Sequence, residues 1–285
     1  KTLGKIQSNN DLQIAFIVPR YKKKDLILKK WSKKLNVDYL ILKNVNSKES
    51  VKKLESYNAD IFVSMSFDQI IKKKLISVPP KGFINCHAGA LPFYRGRNVL
   101  NWAIINDEKK FGITVHYIDE NIDTGDIIKQ KLYPITDQDD YGSLLNKAHK
   151  FCAQLLFETL LCIIKNKVQR IPQKTIDAIG SYCKGRKEGD EFINWNWNAR
   201  KIYNFIRAIS KPGPYARSNI LKNQIIIKKS IILNNALNKK KKPGCIIKIE
   251  SKKIYVKTTD GVLLITDYSF SNNIKINLKV NNCFY

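Results

Sequence analysis

Apolar and polar positions alternate in two distinct ways along the first two thirds of the chain. Residues 13–18 and 60–65 are largely apolar, which is typical of strands buried on both faces of a parallel sheet. Elsewhere, apolar residues recur with the spacing of an amphipathic helix. The pattern predicts helices over residues 2–6, 24–35, 67–76, 98–106 and 143–166, and short strands over residues 37–40, 83–84 and 112–118. This alternation predicts an α/β fold with an open, mostly parallel sheet.

A change of pattern near residue 190 divides the chain. Residues 180–189 are rich in glycine and charge, which is typical of a linker. Residues 197–210 have helical spacing and are followed by a Lys-Pro-Gly-Pro stop. Short strands are predicted over residues 224–233, 245–249, 253–258 and 262–268, with a hairpin turn at Asp260-Gly261. We therefore predict an α/β domain over residues 1–190 and a helical linker with a small all-β domain over residues 191–285.

The strongly basic composition leaves more than one class of partner open. The chain has 285 residues, with 51 Lys and Arg against 24 Asp and Glu and a formal net charge of +27. Such an excess suits nucleic acid, a membrane surface or an anionic substrate. Many lysines fall in clusters such as residues 22–24 and 239–242, which are typical of solvated faces. We favour that interpretation and keep a polyanion partner as the alternative.

Apolar run lengths and cysteine spacing favour a cytoplasmic protein. No apolar run approaches the roughly 20 residues that cross a membrane, and no signal peptide is recognisable. The six cysteines form neither a Cys-x-x-Cys pair nor a zinc-binding spacing. We therefore expect no metal site, no membrane partner, and reduced thiols throughout.

The candidate chemistry lies at the end of one predicted strand. Asn85 and His87 are two positions apart, so their side chains point to the same face of an extended strand. An amide beside an imidazole can stabilise an oxyanion and move a proton at one carbonyl group. Asp123 could hold the imidazole in the right tautomer and raise its pKa. This combination suits acyl transfer, although the spacing alone also fits a polar strand end that satisfies loop amides. His116 and His149 are expected to be structural.

Residues 85–128 resemble the folate-dependent formyltransferase family. The family pattern of Asn-x-His, Leu-Pro-x-Tyr-Arg-Gly and Asp-x-Gly matches Asn85 and His87, residues 91–96, and Asp123 with Gly125. Cys86 departs from the pattern, since an aliphatic residue is commoner at this position. This difference should not affect the chemistry. The resemblance implies a Rossmann-like formyltransferase fold followed by an OB-like β-barrel. Because a strand precedes the first helix in the family, we expect that segment to be missing before residue 1.

The resemblance also implies a reaction and its residues. The co-substrate would be 10-formyltetrahydrofolate and the acceptor a primary amine, with neither a metal nor a covalent enzyme intermediate. Asn85 would donate to the developing oxyanion, His87 would move protons, and Asp123 would support the imidazole. The folate pocket implied by the family comprises Gln69, Ile70, Ile71, Arg97, Asp119, Ile122 and Asp123. The alternatives are that the two isoleucines are core residues and that Arg97 forms a surface ion pair.

The acceptor amine depends on which subfamily the chain resembles. Methionyl-tRNA formyltransferases carry a long basic loop after the second strand, whereas here residues 19–24 run almost directly into a helix. Residues 94–102 and 183–195 are similar to sugar-nucleotide enzymes of the GDP-perosamine and UDP-4-amino-4-deoxy-arabinose type. We therefore expect the acceptor to be a nucleotide-linked amino sugar, a 4-amino-4,6-dideoxyhexose destined for surface polysaccharide such as lipopolysaccharide O-antigen.

Two other hypotheses remain open at the level of sequence. One is a methionyl-tRNA formyltransferase, which the charge and the C-terminal β domain would suit. The other is a non-catalytic, OB-type nucleic-acid-binding protein, for which the chain offers few aromatic residues near its basic ones. The leading hypothesis requires no nucleic acid. The sequence leaves the oligomeric state open, with a homodimer among the options.

Overall fold

The computed structural model describes residues 1–21, 25–233, 241–271 and 276–285. The chain forms two compact units, each built from segments that are separated in sequence. The first unit comprises Lys1–Gly96, Phe111–Tyr133 and Lys147–Cys183, and the second comprises Arg97–Lys110, Pro134–Asn146 and Lys184–Tyr285. The domain boundary at residue 190 stays a prediction, since these units are defined by spatial contacts rather than by chain order.

The first unit contains short helices and strands in alternation. Its helices are α1 (Thr2–Gln7), α2 (Leu26–Leu35), α3 (Lys48–Glu55) and α4 (Lys73–Ile76). Its strands are β1 (Phe16–Ile17), β2 (Asp38–Tyr39), β3 (Phe62–Ser64), β4 (Phe83–His87), β5 (Arg95–Gly96), most of β6 (Lys110–Tyr117) and of β7 (Ile127–Pro134), and β8 (Tyr182–Cys183). The side chain of Asp25 accepts a hydrogen bond from Leu28 N and so caps α2. The prediction of a helix over residues 24–35 is confirmed for residues 26–35, with Asp25 as the N-cap, whereas residue 24 lies outside the described residues.

The central sheet has four strands in the order β3, β4, β6 and β7. Strands β3 and β4 pair in parallel, whereas β4 and β6 are antiparallel, with Asn85 opposite His116. Strand β7 was not predicted from the sequence. One hydrophobic cluster supports β3 and the beginning of β4, and it consists of Val45, Leu54, Phe62, Ile71, Leu75 and Phe83.

The helix predicted over residues 67–76 is wrong for its first six residues, because α4 begins at Lys73. Long-range side-chain hydrogen bonds hold residues 67–72 as a loop. The amide of Asn46 donates to Ile70 O and accepts from Lys72 N. The amide of Gln69 donates to Leu42 O and accepts from Val45 N. Backbone groups that a helix would use internally are therefore bonded to residues that are distant in sequence.

The second unit contains the C-terminal antiparallel sheet. Its elements are α5 (Val99–Ile105), α7 (Ala199–Ala208), β9 (Ala216–Ile220), β10 (Asn223–Leu233), β11 (Ile246–Glu250), β12 (Lys253–Lys257) and β13 (Val262–Phe270). A long helix, α6 (Tyr141–Ile164), contributes its first turns to this unit and the remainder to the first. The sheet order is β11, β12, β13, β10 and β9. The turn at Asp260-Gly261 is confirmed, since Thr258 N donates to Gly261 O between paired strands. The predicted fold class, α/β followed by an all-β domain, is confirmed.

The expectation that all six cysteines are reduced is wrong for one pair. Cys245 and Cys283 form a disulfide and lie opposite one another in an antiparallel bridge. The sequence hides the pairing because 38 residues separate the two cysteines. Cys86, Cys152, Cys162 and Cys183 are free thiols, as expected. Within the described ranges, no helix combines the length and apolar character needed to cross a membrane.

Candidate active site

The structure brings Asn85, His87 and Asp123 together around one carboxylate. Asn85 and His87 lie at the end of β4, and Asp123 lies in the loop between β6 and β7. Asn85 Nδ2 donates to Asp123 Oδ1 over 3.4 Å. His87 Nδ1 lies 3.6 Å from Asp123 Oδ2. The i, i+2 spacing on a strand thus directs both side chains to the same carboxylate.

Backbone and side-chain donors fix the Asp123 carboxylate. Gly96 N donates to Oδ2 over 2.9 Å, and His116 Nε2 lies 3.5 Å from Oδ1. Burial by itself would raise the pKa of Asp123, but His116, His87 and the Gly96 amide outweigh it and lower the pKa to about 2. Asp123 also has a φ of 56°, a left-handed conformation that costs a non-glycine residue roughly 1 kcal/mol. Asp123 is therefore a buried anion at neutral pH, held in an unfavourable backbone geometry by its surroundings.

The imidazole of His87 is buried and held from both sides. Its Nε2 donates to Tyr94 O over 2.7 Å, so the neutral ring has its free lone pair on Nδ1, facing Asp123. Burial lowers the pKa of His87 below its ordinary value, although Asp123 and the Tyr94 carbonyl act in the opposite direction. The sequence-based expectation of a raised pKa is correct for the Asp123 interaction but not for the net effect. His87 is therefore neutral at pH 7, and a proton arriving at Nδ1 would meet a carboxylate.

Gly89 is required by the packing of this histidine. A Cβ at position 89 would lie 2.5 Å from His87 Nε2 and 2.4 Å from Tyr94 O. Both distances are shorter than any normal non-bonded contact, so a larger residue would displace the imidazole or the carbonyl that it binds.

His116 belongs to this cluster, although the sequence indicated only a structural role. It is buried on β6 opposite Asn85. Its Nδ1 donates to Tyr117 O over 2.7 Å, and its Nε2 lies 3.3 Å from Asn85 Nδ2. The Asn85 amide nitrogen thus lies between the His116 imidazole and the Asp123 carboxylate. The signal missing from the sequence was the β4–β6 register, which single-sequence patterns do not reveal.

The residues predicted for the folate pocket have different environments in the structure. Ile70 and Ile122 are exposed by 65% and 53%, whereas Ile71 is 7% exposed and lies in the core. The side chain of Gln69 binds the backbone at Leu42 and Val45. The side chain of Ile71 is therefore in the core and that of Ile70 is not, while the assignment of both residues to a folate pocket stays a prediction.

Two loops of the first unit carry the exposed isoleucines. Lys73 Nζ lies 3.6 Å from Glu120 Oε1, which connects the end of the 67–72 loop to the loop after β6. The Thr124 hydroxyl donates to the Asp119 carboxylate, with its Oγ1 2.6 Å from Oδ1 and 2.8 Å from Oδ2, and so closes the second loop. Ile70 and Ile122 thus lie on two loops that this ion pair connects, and Ile122 directly precedes Asp123.

Arg97 belongs to the second unit and is exposed. Its side chain packs at Gly185, where a Cβ would lie 3.3 Å from Arg97 Cδ. No group of three or more His, Cys, Asp or Glu side chains that could hold a metal occurs among the residues described.

Comparisons with known proteins agree with these features. A family model described as formyl transferase matches residues 3–160, and one described as formyl transferase, C-terminal domain, matches residues 186–282. The bifunctional polymyxin resistance protein ArnA of Wigglesworthia glossinidia brevipalpis is 34% identical over 245 residues, which cover 86% of this chain and 37% of that protein. A methionyl-tRNA formyltransferase of Thermodesulfovibrio yellowstonii is 37% identical over 216 residues, which cover 75% of this chain and 67% of that protein. The chain thus spans about a third of the first relative and about two thirds of the second.

Two solved structures share the fold over nearly their full length. One is WlaRD, a sugar 3N-formyl transferase solved with dTDP and 5-N-formyl-THF; its TM-score is 0.70 at 24% identity, with 95% of this chain and 94% of that chain covered. The other is the Helicobacter canadensis N-formyltransferase, solved with folinic acid and dTDP-3-aminofucose; its TM-score is 0.70 at 23% identity, with 94% of each chain covered. Both domain models match in order, and relatives above 30% identity cover most of the chain. The protein therefore belongs to the formyl transferase family.

Proposed function

We propose that the protein transfers the formyl group of 10-formyltetrahydrofolate to the primary amine of a nucleotide-linked amino sugar. The observation that carries the reaction type is the convergence of Asn85 and His87 on the Asp123 carboxylate. Formylated folates bound to two solved proteins of the same fold support the choice of donor. The exposed Ile70 and Ile122 provide apolar surface for a flat pterin ring beside Asp123.

Each residue of the cluster has a chemical task that its geometry permits. The new C–N bond forms when the acceptor amine attacks the formyl carbon, and the bond from that carbon to N10 of the folate breaks. Asn85 donates a hydrogen bond to the formyl oxygen as negative charge develops there. His87 takes the amine proton at Nδ1, and Asp123 stabilises the resulting imidazolium. His87 then returns the proton to the departing N10, so that the protons balance.

The choice of a sugar nucleotide rests on the short connection after β1. Strand β1 ends at Ile17 and α2 begins at Leu26, so residues 18–25 leave no room for a long basic insertion. The relatives of known structure described above include a sugar 3N-formyl transferase and an enzyme in complex with a dTDP-linked amino sugar. A diphosphate also needs few of the 51 basic side chains.

A methionyl-tRNA formyltransferase is the second candidate, and the sequence relatives favour it. Proteins with that name from Thermodesulfovibrio yellowstonii and Alkaliphilus metalliredigens are 37% and 35% identical to this chain. The net charge of +27 would suit the tRNA backbone.

Tetrahydrofolate release separates the two candidates. The purified protein is mixed with 10-formyltetrahydrofolate and, in parallel, with dTDP-, UDP- and GDP-linked 3-amino and 4-amino sugars or with methionyl initiator tRNA. We expect turnover with at least one sugar nucleotide and none with tRNA. His87→Asn serves as the catalytic blank, and mass spectrometry of the product confirms N-formylation.

Salt dependence provides a second, independent measurement. Affinity for a sugar nucleotide should fall only mildly between 50 and 200 mM salt, because a diphosphate carries few charges. A tRNA substrate that contacts many phosphates would lose on the order of a thousandfold in affinity over that range. If tRNA affinity falls this steeply with salt and the methionine on the tRNA is formylated, the acceptor is not a sugar nucleotide. The assignment of the protein as a formyltransferase would still hold.

A further inference from the structure

Gln173 holds the backbone of the loop that carries Asp123. It lies in a short 3-10 helix (Gln173–Thr175) and is 3% exposed. Its Nε2 donates to Asp123 O and to Gly125 O, each over 2.8 Å. Both amide protons are therefore used on carbonyl groups two residues apart in one turn.

Arg95 fixes the orientation of that amide. Its Nε and Nη2 donate to Gln173 Oε1 over 3.0 and 2.8 Å, and its Nη1 donates to Ile179 O over 3.1 Å. Because a guanidinium has no acceptor, the oxygen of Gln173 must face Arg95 and the NH₂ group must face the loop. All hydrogen-bonding positions of the buried Gln173 side chain are thus filled.

The turn needs an external partner because its own geometry is unfavourable. Asp123 is left-handed, with a φ of 56°. Gly125 has no room for a side chain, since a Cβ there would lie 2.0 Å from Tyr117 O. The two carbonyl groups bonded by Gln173 flank this tight segment. Movement of the turn would move the Asp123 carboxylate away from Asn85, from His87 and from Gly96 N.

We propose that Gln173 is a positioning residue for formyl transfer, which sets the Asp123 carboxylate against His87 through the backbone of the 123–125 turn while Arg95 holds its amide. This proposal rests on the proposed function. It concerns a side chain that does not itself contact His87 in the structure described. It implies that removing the two donors changes the charge environment of His87 without removing a group from the reacting centre.

Two variants separate positioning from a contribution to folding alone. Gln173→Glu keeps the length of the side chain and an oxygen for Arg95, but a carboxylate then faces both carbonyls. Gln173→Met removes the donors and also leaves Arg95 without this acceptor, so it should be the less stable variant. If Gln173 positions Asp123, both variants should lower kcat about 10- to 100-fold and leave KM for the folate within about threefold. A purely structural role predicts that Gln173→Glu retains wild-type kcat whenever it is folded.

Imidazole titration by NMR reads out the same effect without substrate. The chain has three histidines, so the ¹⁵N signal of His87 can be assigned with a His87→Asn sample. Since Asp123 raises the pKa of His87 against the effect of burial, displacement of the carboxylate should lower that pKa further in both Gln173 variants. The matched control is Gln130→Glu, in which the lost donors serve Leu91 O and Thr114 Oγ1 instead. It should leave the pKa of His87 and kcat at their wild-type values.

A double-mutant cycle completes the test. In an Asp123→Asn background, Gln173→Glu should reduce kcat by less than about twofold, because the group that it positions is already disabled. Additive losses, or an unchanged His87 titration with wild-type kcat in Gln173→Glu, would overturn the inference. A wild-type protein that formylates none of the acceptors would overturn the proposed function instead, and the titration alone would then decide whether Gln173 controls His87.

Discussion

The end of β4 and the C-terminal sheet of the second unit bury different kinds of side chain. Around Asp123, an amide and two imidazoles share one carboxylate within 3.6 Å. In the C-terminal sheet, Ser218 is a fully buried polar residue, but most fully buried positions are apolar and many are β-branched: Ile225, Ile227, Ile246, Ile254, Val256 and Ile265. Apolar burial is non-directional, whereas a buried polar network depends on each partner. We therefore expect substitutions around Asp123 to lower activity. Substitutions in the C-terminal sheet should lower the free energy of unfolding and leave activity nearly unchanged.

The largest effect that we expect on activity comes from His87→Asn. Loss of the proton acceptor should reduce kcat by about 100- to 10,000-fold, while folate affinity and the melting temperature stay near wild type. Single-turnover kinetics and folate titration measure the two quantities separately. A kcat for His87→Asn within tenfold of the wild-type value would exclude His87 from the reaction. The region around Asp123 would then not differ from the C-terminal sheet in its effect on activity.

Asp123→Asn should reduce kcat by about a hundredfold or more and also change two pH profiles. Because Asp123 raises the pKa of His87, its removal should move the acidic limb of kcat/KM to lower pH. The Asp123 carboxyl has a pKa of about 2 in the folded protein, below the value of about 3.9 in an unfolded chain. Its contribution to the free energy of unfolding, about 2 kcal/mol, is therefore present above pH 4 and is lost as the pH falls toward 2.

Chemical denaturation at a series of pH values checks the stability part of this prediction. Wild type should lose stability more steeply than Asp123→Asn between pH 4 and 2. Parallel curves for the two proteins would show that Asp123 has an ordinary pKa.

Breaking the disulfide should lower the stability of the protein and leave its activity nearly unchanged. A bond that closes a loop of 38 residues stabilises a protein by about 2 to 4 kcal/mol, chiefly through the unfolded chain. Cys245→Ser should lower the free energy of unfolding by that amount and leave kcat within about twofold at 25 °C. The control is Cys162→Ser, a free thiol of the first unit, which should cost less than about 1 kcal/mol. A large loss of kcat in folded Cys245→Ser would mean that the C-terminal sheet takes part in the reaction.

The smallest of these effects is predicted for Ile70, and its neighbour Ile71 should behave differently. Ile70→Ser should raise KM for the folate about tenfold, through loss of apolar contact with the ligand, and leave stability unchanged. Ile71→Ser should instead destabilise the protein by about 2 to 4 kcal/mol, because Ile71 lies in the core. Ile27→Ser, at another exposed isoleucine, is the control for a solvent-facing change. Equal KM values for Ile70→Ser and Ile27→Ser would exclude Ile70 from the folate pocket.

Local patterns were sufficient to predict some of these features. The i, i+2 spacing of Asn85 and His87 after an apolar run indicated a shared face, and the structure has both side chains at Asp123. The apolar periodicity of α6 (Tyr141–Ile164) gave its extent to within two residues at each end. These signals depend on neighbouring residues and on the regular geometry of one element.

Features that depend on distant partners were not predictable in this way. The loop over residues 67–72 has helical periodicity, but Asn46 binds its backbone, and the side chain of Gln69 binds the backbone at Leu42 and Val45. These bonds span 24 to 27 residues of sequence. The place of His116 in the site follows from the β4–β6 register. Arg95 and Gln173 are brought together across 78 residues. Each case requires knowledge of which segments pair, and a single sequence does not contain that information directly.

Chemical labelling of Cys86 can report on local opening of β4, the strand that carries Asn85 and His87. It lies between Asn85 and His87 but on the other side of the strand, where its thiol donates to Cys152 O over 3.7 Å. The thiol is buried, and its contact with Cys152 together with burial raises its pKa well above the ordinary value. An alkylating reagent can therefore reach Cys86 only when β4 separates from α6, so the rate of labelling at this thiol measures how often the strand opens. Cys86, which departs from the family pattern, thus serves as a native probe of local unfolding at the site.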